Sequence, residues 1–285
     1  MLENEDWDIK ITAQNNIFDL KLKDVWQYRD LLLLLVRRDF VSFYKQTILG
    51  PIWFFLQPII TIVFYTLVFG NLAGIPVDGL PKPLFYLAGT IVWNYFAECL
   101  TKTSTVFRDN SALLGKVYFP RLIMPLSIVL SNLIRFGVQF LLFMILYMFY
   151  LFKGTVIVPN VFLLLLPLLI VMIAALGLGL GMIISAVTTK YRDLAFIVSF
   201  GVPLLMYTTT VIFPLSVAEA KYPAYSWLVK FNPITAIIET FRYGFLGRGS
   251  FSWELMGYSL VTTIIILLLG TIIFNRVEKT FVDTV

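Results

Sequence analysis

The stretch PIWFFLQPIITIVFYTLVFG, Pro51 to Gly70, runs for twenty residues without a charged side chain. A helix needs about 20 mostly apolar residues to cross a lipid bilayer. The whole chain has the composition that such a helix requires, because 59% of its 285 residues are hydrophobic and only 14% are charged. Soluble domains carry about 25% charged residues. The sequence therefore predicts an all-α integral membrane protein.

Five further apolar stretches are long enough to cross the membrane. They are Leu84 to Val106, Leu122 to Phe152, Asn160 to Val187, Leu194 to Pro214 and Phe251 to Phe274. The prediction is six transmembrane helices, with residues 1–50 as an N-terminal segment, 51–274 as the membrane domain and 275–285 as a tail. If both chain termini lie on the same side of the membrane, fifteen of the 22 Lys and Arg residues fall on that side and six on the other side. The remaining cation, Arg135, lies within the third span. Cytoplasmic loops are enriched in such cations, so we expect both termini in the cytoplasm.

The N-terminal segment contains a predicted amphipathic helix from Asp24 to Gly50. Its apolar residues Trp26, Leu33 and Phe40 recur every seven positions, and Pro51 suits the first turn of the next helix. A polar face carrying several cations predicts that the helix lies along the cytoplasmic interface, although a soluble core helix has a similar pattern. The cations are Arg29, Arg37, Arg38 and Lys45.

The side chains needed for several kinds of chemistry are missing from this sequence. It has no histidine and a single cysteine, Cys99, so the sequence predicts no metal site and no catalytic residue. Of the charged residues, only Glu98 and Arg135 lie clearly within predicted spans. Two such residues are a poor set for proton coupling. A sodium-coupled carrier that uses backbone oxygens stays open as an alternative.

ATP binding by the common phosphate-binding loop is also missing, because no GxxxxGK[ST] sequence occurs. If the protein is a pump, another subunit supplies the energy. A cytoplasmic break, FRDNSALLG followed by KVYFPRLIMP, separates the second and third spans. Its pattern fits a short surface helix capped by Asp109 or Asn110 and ended by Gly115, with Pro120 starting the third span. An ordinary polar loop is equally compatible with the spacing.

Six ordered blocks resemble the permease subunit of the ABC exporters of cell-surface polysaccharides, which include O-antigen, capsule and teichoic-acid exporters. The resemblance covers nearly the whole chain from about residue 30. The blocks are RRDFVSFYKQTILGPIW (37–53), YLAGTIVWNYF (86–96), DNSALLGKVYFPRLIMPL (109–126), TTKYRDL (188–194), FNPITAIIETFRYGFLG (231–247) and FNRVEKTFVDTV (274–285).

This resemblance implies a homodimer in the bacterial cytoplasmic membrane, bound to two cytoplasmic ATPase subunits that hold ATP and Mg²⁺, with no cofactor in this chain. The implied cargo is a lipid-linked glycan, and the other expected partners are membrane lipids, not nucleic acid. Residues 109–119 would form the coupling helix, with the amphipathic helix as the other part of the ATPase-facing surface. The implied coupling residues are Arg37, Arg38, Asp109, Asn110, Leu113, Leu114, Lys116, Tyr118, Phe119, Pro120 and Arg121.

The segment of residues 215–250 resembles the exit-side gate region of these permeases. Asn232 fits a helix cap, Pro233 a first turn and Gly247 a helix end, which predicts a helix too short to span the membrane. Glu239 and Arg242 stand three residues apart on one face of it. They form either an ion pair that stabilises the helix, which is weak if it is exposed, or an ion pair that holds the gate closed.

The resemblance also suggests that a sugar chain slides past aromatic side chains in a channel, although core packing and interfacial belts explain many aromatics equally well. A charged arginine halfway along a membrane span has a high free-energy cost, so we expect Arg135 to face a polar cavity or a partner. The glycines of GLGLG, residues 177–181, suit close helix packing. The channel candidates are Tyr65, Trp93, Tyr95, Phe96, Arg135, Phe200 and Tyr207.

Three other functions share parts of this pattern. An ABC exporter of a lipid or drug has the same architecture. An ion-driven flippase would need no ATPase and would normally have more spans. A membrane-bound enzyme of glycan metabolism would turn over its substrate without ATP.

Overall fold

The computed structural model describes residues 22–45, 47–114, 119–191 and 193–281, and every regular element in these ranges is helical. The helices with 13 or more residues are α2 (Arg29–Tyr44), α3 (Trp53–Tyr65), α4 (Lys82–Ser104), α7 (Ile123–Phe152), α8 (Leu166–Lys190), α9 (Leu194–Met206), α12 (Pro233–Leu246) and α13 (Trp253–Phe281). The shorter ones are α1 (Leu22–Gln27), α5 (Val106–Asp109), α6 (Ser111–Leu114), α10 (Leu215–Lys221) and α11 (Ser226–Lys230). The all-α prediction is confirmed for this part of the chain.

Four of the described helical stretches are long and apolar enough to cross a membrane, which makes the chain a multi-pass membrane protein. They are Gly50–Leu72, Ile123–Phe152, Val161–Thr189 and Trp253–Val277, and they match the predicted first, third, fourth and sixth spans. The first begins with a 3₁₀ turn that has Pro51 in its first turn, continues as α3 and ends as a π-helix over Thr66–Leu72.

The second predicted span is α4, a 23-residue helix that forms the centre of the bundle. Its polar residues Asn94, Glu98 and Lys102 make it less apolar than the four stretches above. It packs against α3, α7, α8, α9 and α12. Most of its side chains, from Leu84 to Ser104, are buried. A helix surrounded by other helices does not need a uniformly apolar surface, because neighbouring side chains can pair with its polar residues.

Glycines in α8 allow α4 and α13 to approach closely, as predicted for GLGLG. A Cβ atom on Gly181 would lie 2.6 Å from the Cβ of Thr103 in α4, and one on Gly177 would lie 3.0 Å from the Cβ of Cys99. Gly179 faces the opposite way, toward the backbone of Leu267 in α13. Alternate glycines therefore serve two helix contacts at once.

The fifth predicted span, Leu194 to Pro214, is wrong as a continuous helix. α9 has 13 residues and ends at Met206. At 1.5 Å per residue it is about 20 Å long, less than the bilayer core of about 30 Å. The chain then turns, and the hydroxyls of Thr208 and Thr209 bind carbonyl oxygens three residues back at 2.8 and 2.6 Å. Side-chain hydroxyls that bind local carbonyls in this way compete with helix continuation.

The N-terminal helix also departs from its prediction. It is interrupted at Tyr28 and ends at Tyr44, not Gly50. Its apolar residues do not form a single face: Leu35 is buried against α7, whereas Trp26 and Leu33 are exposed. Leucines fill five consecutive positions, 31–35, so they surround the helix axis and the sevenfold repeat does not define one packing face.

A second apolar core joins the N-terminal helix to the end of the bundle near residue 106. Its buried members are Leu35, Val106, Phe107, Phe119, Ile123, Met124, Ile128, Leu178, Met182 and Phe274. Phe107 stacks on Phe274 with ring centroids 4.6 Å apart. This core fixes the turn between α4 and α7 onto α2 and α13.

Candidate functional site

Polar side chains form a ladder between α4 and α7 inside the apolar bundle. The two helices run in opposite directions, and residues four apart on α4 meet residues three or four apart on α7, because such residues share a helix face. The side-chain pairs are Asn94–Gln139, with nitrogen and oxygen 3.4 Å apart, Glu98–Arg135 at 3.2 Å and Lys102–Asn132 at 3.4 Å. We call these six residues the α4–α7 ladder.

The middle of the ladder carries one carboxylate between two cations. Lys102 Nζ lies 2.9 Å from Glu98 Oε2, the same oxygen that accepts from Arg135. The Arg135 side chain is only 12% exposed, and its guanidinium lies 5.8 Å from the centroid of the Phe54 ring. Glu98 and Lys102 are 45% and 39% exposed. The expectation of a partner or a polar cavity for Arg135 is therefore met by its ion pair with Glu98.

Two cavities adjoin this ladder and share Asn94 and Glu98. One, of about 260 Å³, lies between α3, α4 and α7 and is lined by Phe54, Gln57, Asn94, Tyr95, Glu98, Asn132, Arg135, Phe136 and Gln139. The other, of about 550 Å³, lies between α3, α4 and α9. Its lining is Thr61, Tyr65, Thr90, Trp93, Asn94, Ala97, Glu98, Thr101, Lys102, Val198, Ser199, Val202, Pro203 and Met206. Hydroxyl, amide and aromatic groups thus share one surface within the bundle.

The aromatic channel candidates have different surroundings. Tyr65 and Trp93 line the larger cavity and Tyr95 lines the smaller one. Phe96 lies fully buried in the apolar core of the bundle, and its side chain lines neither of these two cavities. Phe200 is exposed on α9.

A third cavity, of about 430 Å³, contains the remaining candidate, Tyr207. It lies beside α10 and α11, where Tyr222 and Tyr225 also line it, together with Lys221. This cavity is formed by the region predicted to be the exit side.

α12 begins and ends as the sequence predicts. The Asn232 side chain accepts a hydrogen bond from the Ile234 amide at 3.1 Å, Pro233 occupies the first turn, and Gly247 ends the helix with φ +65°. The helix has 14 residues, about 21 Å in length, so it is too short to span a bilayer. Asn232 also donates to the Thr208 hydroxyl at 3.1 Å, which ties α12 to the turn after α9.

The Glu239–Arg242 pair is buried, so the expectation for an exposed, weak pair does not apply. Arg242 NH1 lies 3.4 Å from Glu239 Oε1, and only 1% and 3% of the two side chains are exposed. Glu239 also accepts from the Ser250 amide at 3.1 Å. Further hydrogen bonds to its atoms reduce the cost of burying such a pair, although Arg242 Nε itself has no partner among the described residues.

Arg242 supplies hydrogen bonds to the non-helical turn after α9 and to the first turn of α4. It donates to the carbonyl oxygens of Thr210, of Val211 at 3.0 Å and of Phe85 at 3.2 Å, and its guanidinium lies 3.6 Å from the Phe85 ring centroid. Irregular backbone within a membrane must find such donors inside the protein. One side chain thereby joins α12, the turn after α9 and the start of α4.

Of the predicted coupling segment, residues 109–114 and 119 are described, and they contain the last residue of α5 and the short helix α6, with Asn110 between them. Asp109 accepts a hydrogen bond from the Thr105 hydroxyl at 2.6 Å, and Asn110 donates one to the Val106 carbonyl at 3.1 Å. Both therefore stabilise the preceding turn. Arg108 and Asp109 project outward, 57% and 51% exposed, and pair at 2.9 Å.

The other coupling candidates surround these turns. Leu113 packs against the second core, and Leu114 is the last residue of α6. Phe119 is buried. Pro120 and Arg121 form a turn, and α7 begins at Ile123, later than predicted. Arg37 is exposed, and Arg38 pairs with Asp39 at 2.8 Å. Lys116 and Tyr118, with the predicted helix end Gly115, lie outside the described residues.

Sequence reasoning missed two features of these sites. The fourfold spacing of Asn94, Glu98 and Lys102 was a readable signal for a polar face on α4. The carbonyl oxygens that Arg242 binds carry no sequence signal, because every residue has one. Within the described ranges, no group of three or more His, Cys, Asp or Glu side chains is arranged to hold a metal ion.

Comparison with known proteins gives one consistent picture. Residues 30–246 match the family model described as ABC-2 type transporter. An O-antigen export system permease protein RfbA from Klebsiella pneumoniae is 25% identical over 254 residues, which cover 89% of this chain and 94% of that protein. An O-antigen export system permease protein RfbA from Myxococcus xanthus is 27% identical over 265 residues, covering 93% and 98%.

Proposed function

Because this chain belongs to the ABC-2 type transporter family, we propose that it is the membrane permease of an ABC exporter that moves a lipid-linked polysaccharide out of the bacterial cytoplasm. The observation that carries this proposal is the end-to-end similarity to O-antigen export permeases, which covers about nine tenths of the chain. The cargo is an O-antigen-like or teichoic-acid-like polymer. The protein itself is not an enzyme.

The chain crosses the cytoplasmic membrane six times, with both termini in the cytoplasm. The four long apolar stretches are the first, third, fourth and sixth crossings. The second crossing is α4, and the fifth is α9 with the turn that follows it. The basic residues near α2, α5 and the start of α7 are then cytoplasmic. α10, α11 and α12 lie on the exit side.

The sugar path runs along the larger cavity between α3, α4 and α9. Its surface combines the Tyr65 and Trp93 rings with the hydroxyls of Thr61 and Thr90. Aromatic rings stack on the apolar faces of sugars, while hydroxyl and amide groups exchange hydrogen bonds with their polar edges. Many weak contacts of this kind suit a polymer that must slide.

A second copy of the chain completes this path. α3 and α9, which border the larger cavity, carry exposed apolar side chains, among them Ile60, Phe64 and Phe200. In a homodimer these faces enclose the channel between the two copies, so that each chain supplies half of its lining.

Two ATPase subunits dock on the cytoplasmic end. The chain has no phosphate-binding loop of its own, so ATP and Mg²⁺ are bound by these partners. Their contact surface is formed by α5, α6 and the exposed cations of α2. The buried Phe107 and Phe119 join this surface to α7 and α13, which gives a rigid path for motion.

Arg242 and Glu239 form the fixed frame of the exit gate. They are buried in hydrogen bonds that join three elements, so α12 stays in place. α10 and α11 have only a small core of Leu215, Ala218 and Val229, and they are the parts that move.

The test is a gentle-detergent purification of tagged protein from its native membrane, with mass spectrometry of what co-purifies and an ATPase assay. We expect a stoichiometric ATPase that hydrolyses ATP and depends on this chain for membrane attachment. The complex, reconstituted in vesicles, should move lipid-linked glycan only with ATP. Recovery of the chain without an ATPase, even after crosslinking, would contradict the proposal.

A further inference from the structure

The smaller cavity beside the α4–α7 ladder is lined mainly by polar side chains, although it lies inside an apolar bundle. Of its nine lining residues, four carry amides, two carry opposite charges and three carry aromatic rings. The amides are Gln57, Asn94, Asn132 and Gln139, the charged residues are Glu98 and Arg135, and the rings are Phe54, Tyr95 and Phe136. Polar groups within a membrane have a high free-energy cost unless they find partners.

The ladder does not use all of the polar atoms that line this cavity. Glu98 binds Lys102 and Arg135 through Oε2, and its other oxygen accepts no hydrogen bond from the described residues. Asn94 donates to the oxygen of Gln139 at 3.4 Å. The Asn94 oxygen and the Gln139 nitrogen make no hydrogen bond in the part of the chain that the structure describes. Donors and acceptors are therefore available at the cavity wall.

Gln57 approaches the same cavity from a third helix, α3. Its side chain lines the cavity and makes no hydrogen bond to any described residue. It stands in Gly50–Leu72, an apolar membrane span in which an amide without a partner has a free-energy cost. Packing of α3 alone would be served better by leucine. The Gln57 amide is thus placed to bind a molecule in the cavity.

The lining favours a small, uncharged ligand that is rich in hydroxyl groups. Glu98 and Arg135 pair with each other at 3.2 Å, so the lining favours neither sign of ion. Amides place donors and acceptors side by side, which suits hydroxyls because each hydroxyl both donates and accepts. The three rings provide flat apolar walls. The volume of about 260 Å³ is below the roughly 300–1,000 Å³ of pockets for drug-sized molecules, so it suits one ring and not a chain.

We propose that the smaller cavity binds a single neutral sugar ring, whose hydroxyls exchange hydrogen bonds with Gln57 and with the ladder side chains on the facing wall. Asn94 and Glu98 also line the larger cavity, so a ring bound here lies directly beside the proposed sugar path. One source is a unit within the exported glycan chain, which rests on the proposed function. The other is a sugar ring attached directly to a lipid.

The probes are the octyl glycosides of glucose, galactose and N-acetylglucosamine, each titrated below its micelle concentration into the full-length protein in phosphatidylcholine nanodiscs. Tetraethylene glycol monooctyl ether, with an equal tail and no sugar ring, is the control. Microscale thermophoresis measures binding. We expect at least one glycoside to bind about tenfold more tightly than the ether, because several hydrogen bonds distinguish the two headgroups. If no glycoside binds more tightly than the ether, the cavity holds only water and the proposal is overturned.

Two glutamines that line only the smaller cavity test its occupancy. Gln57→Leu and Gln139→Leu should each weaken binding of that glycoside by about three- to tenfold, since each removes one or two hydrogen bonds. The unfolding temperature of Gln57→Leu should not fall, because leucine suits an apolar span. Gln27→Leu, which replaces an exposed glutamine in α1, should bind like the unchanged protein. Unchanged affinity in both Gln57→Leu and Gln139→Leu contradicts the proposal.

Thr61 lines the larger of these two cavities and not the smaller one, so Thr61→Val separates this site from the proposed sugar path. We expect Thr61→Val to weaken binding less than Gln57→Leu does. If Thr61→Val weakens binding and Gln57→Leu leaves it unchanged, the sugar occupies the larger cavity. That result supports the proposed path and overturns the present inference.

Methyl glycosides, which carry the same rings without a tail, distinguish the two sources. A methyl glycoside that binds as tightly as its octyl counterpart assigns the site to a unit within a glycan chain. Binding that requires the tail assigns it to a ring attached to a lipid. No ATPase is present in these measurements, so the inference can fail while the exporter complex still forms, and it can hold if no ATPase partner is found.

Discussion

At the scale of single residues, Arg242 shows why a buried charge can be retained in an apolar bundle. Its guanidinium donates to the carbonyl oxygens of Thr210 and Val211, which lie in a turn, and to that of Phe85 in α4, and Glu239 balances its charge. The planar group reaches several acceptors at once, which a lysine ammonium does not do in the same geometry. The residue is therefore a substitute for missing backbone hydrogen bonds.

We predict that Arg242→Lys destabilises the protein although it conserves the charge. Each carbonyl left without a donor costs about 1–3 kcal/mol. The unfolding temperature in detergent should fall by about 5–10 °C. The same replacement at exposed Arg248 should have little effect. An unchanged unfolding temperature for Arg242→Lys would refute the assignment.

At the scale of elements, the α4–α8 contact depends on glycine at positions where backbones meet. Gly181 faces Thr103 so closely that no side chain fits between them. Gly137 in α7 has no such neighbour, because a Cβ atom there would have nothing within 4 Å.

We predict that Gly181→Ala lowers stability, because its Cβ would force α4 and α8 apart at a cost of about 1–3 kcal/mol. Gly137→Ala should raise stability by about 0.5–1 kcal/mol, since alanine is the better helix former in open space. Thermal unfolding in detergent measures both. Equal effects of the two substitutions would show that the close contact is not what matters.

The α5–α6 turns divide into a buried anchor and an exposed surface. Phe107 and Phe119 belong to the second core, so changing them disturbs the fold as well as any docking. Arg108 is exposed and pairs only with its neighbour Asp109 at the surface. It is the better probe of an ATPase contact.

We predict that Arg108→Glu reduces co-purification of the ATPase and ATP-driven export by about tenfold, with an unchanged unfolding temperature. Reversing a charge at an interface opposes the partner's complementary charge. Arg248→Glu, at the opposite end, is the matched control. Normal recovery of ATPase with Arg108→Glu would remove α5 from the proposed docking surface.

At the scale of the whole molecule, the proposed six crossings place the two ends of the bundle on opposite sides of the membrane. The α5–α6 turns and α2 lie at one end, and residues 153–160 and 247–252 lie at the other. The single cysteine, Cys99, is fully buried, which gives a clean background for labelling.

We predict that a membrane-impermeant maleimide labels Lys153→Cys and Arg248→Cys in intact spheroplasts. Arg38→Cys and Arg108→Cys should react only after permeabilisation. The wild-type chain, whose thiol is buried, is the control for background. Labelling of Arg108→Cys from outside would reverse the proposed orientation.

The sequence by itself determined the helical class, the membrane location, four spans and the caps of α12. Each depends on local composition or on residues within one turn, such as Asn232, Pro233 and Gly247. The close packing of GLGLG was equally readable, because glycine spacing limits what can pack against it. Family membership followed from ordered blocks along the chain.

Only the tertiary structure decided where α9 ends, which face of α2 is buried and what Arg135 and Arg242 contact. The carbonyl oxygens of Thr210 and Val211, in the turn after α9, are bound by Arg242, which stands 32 and 31 residues later in the chain. Glu98 and Arg135 meet because α4 and α7 run antiparallel, although 37 residues separate them. The local sequence pattern determines whether a segment is helical. The packing of the helices determines which distant side chain supplies a missing hydrogen bond or an opposite charge.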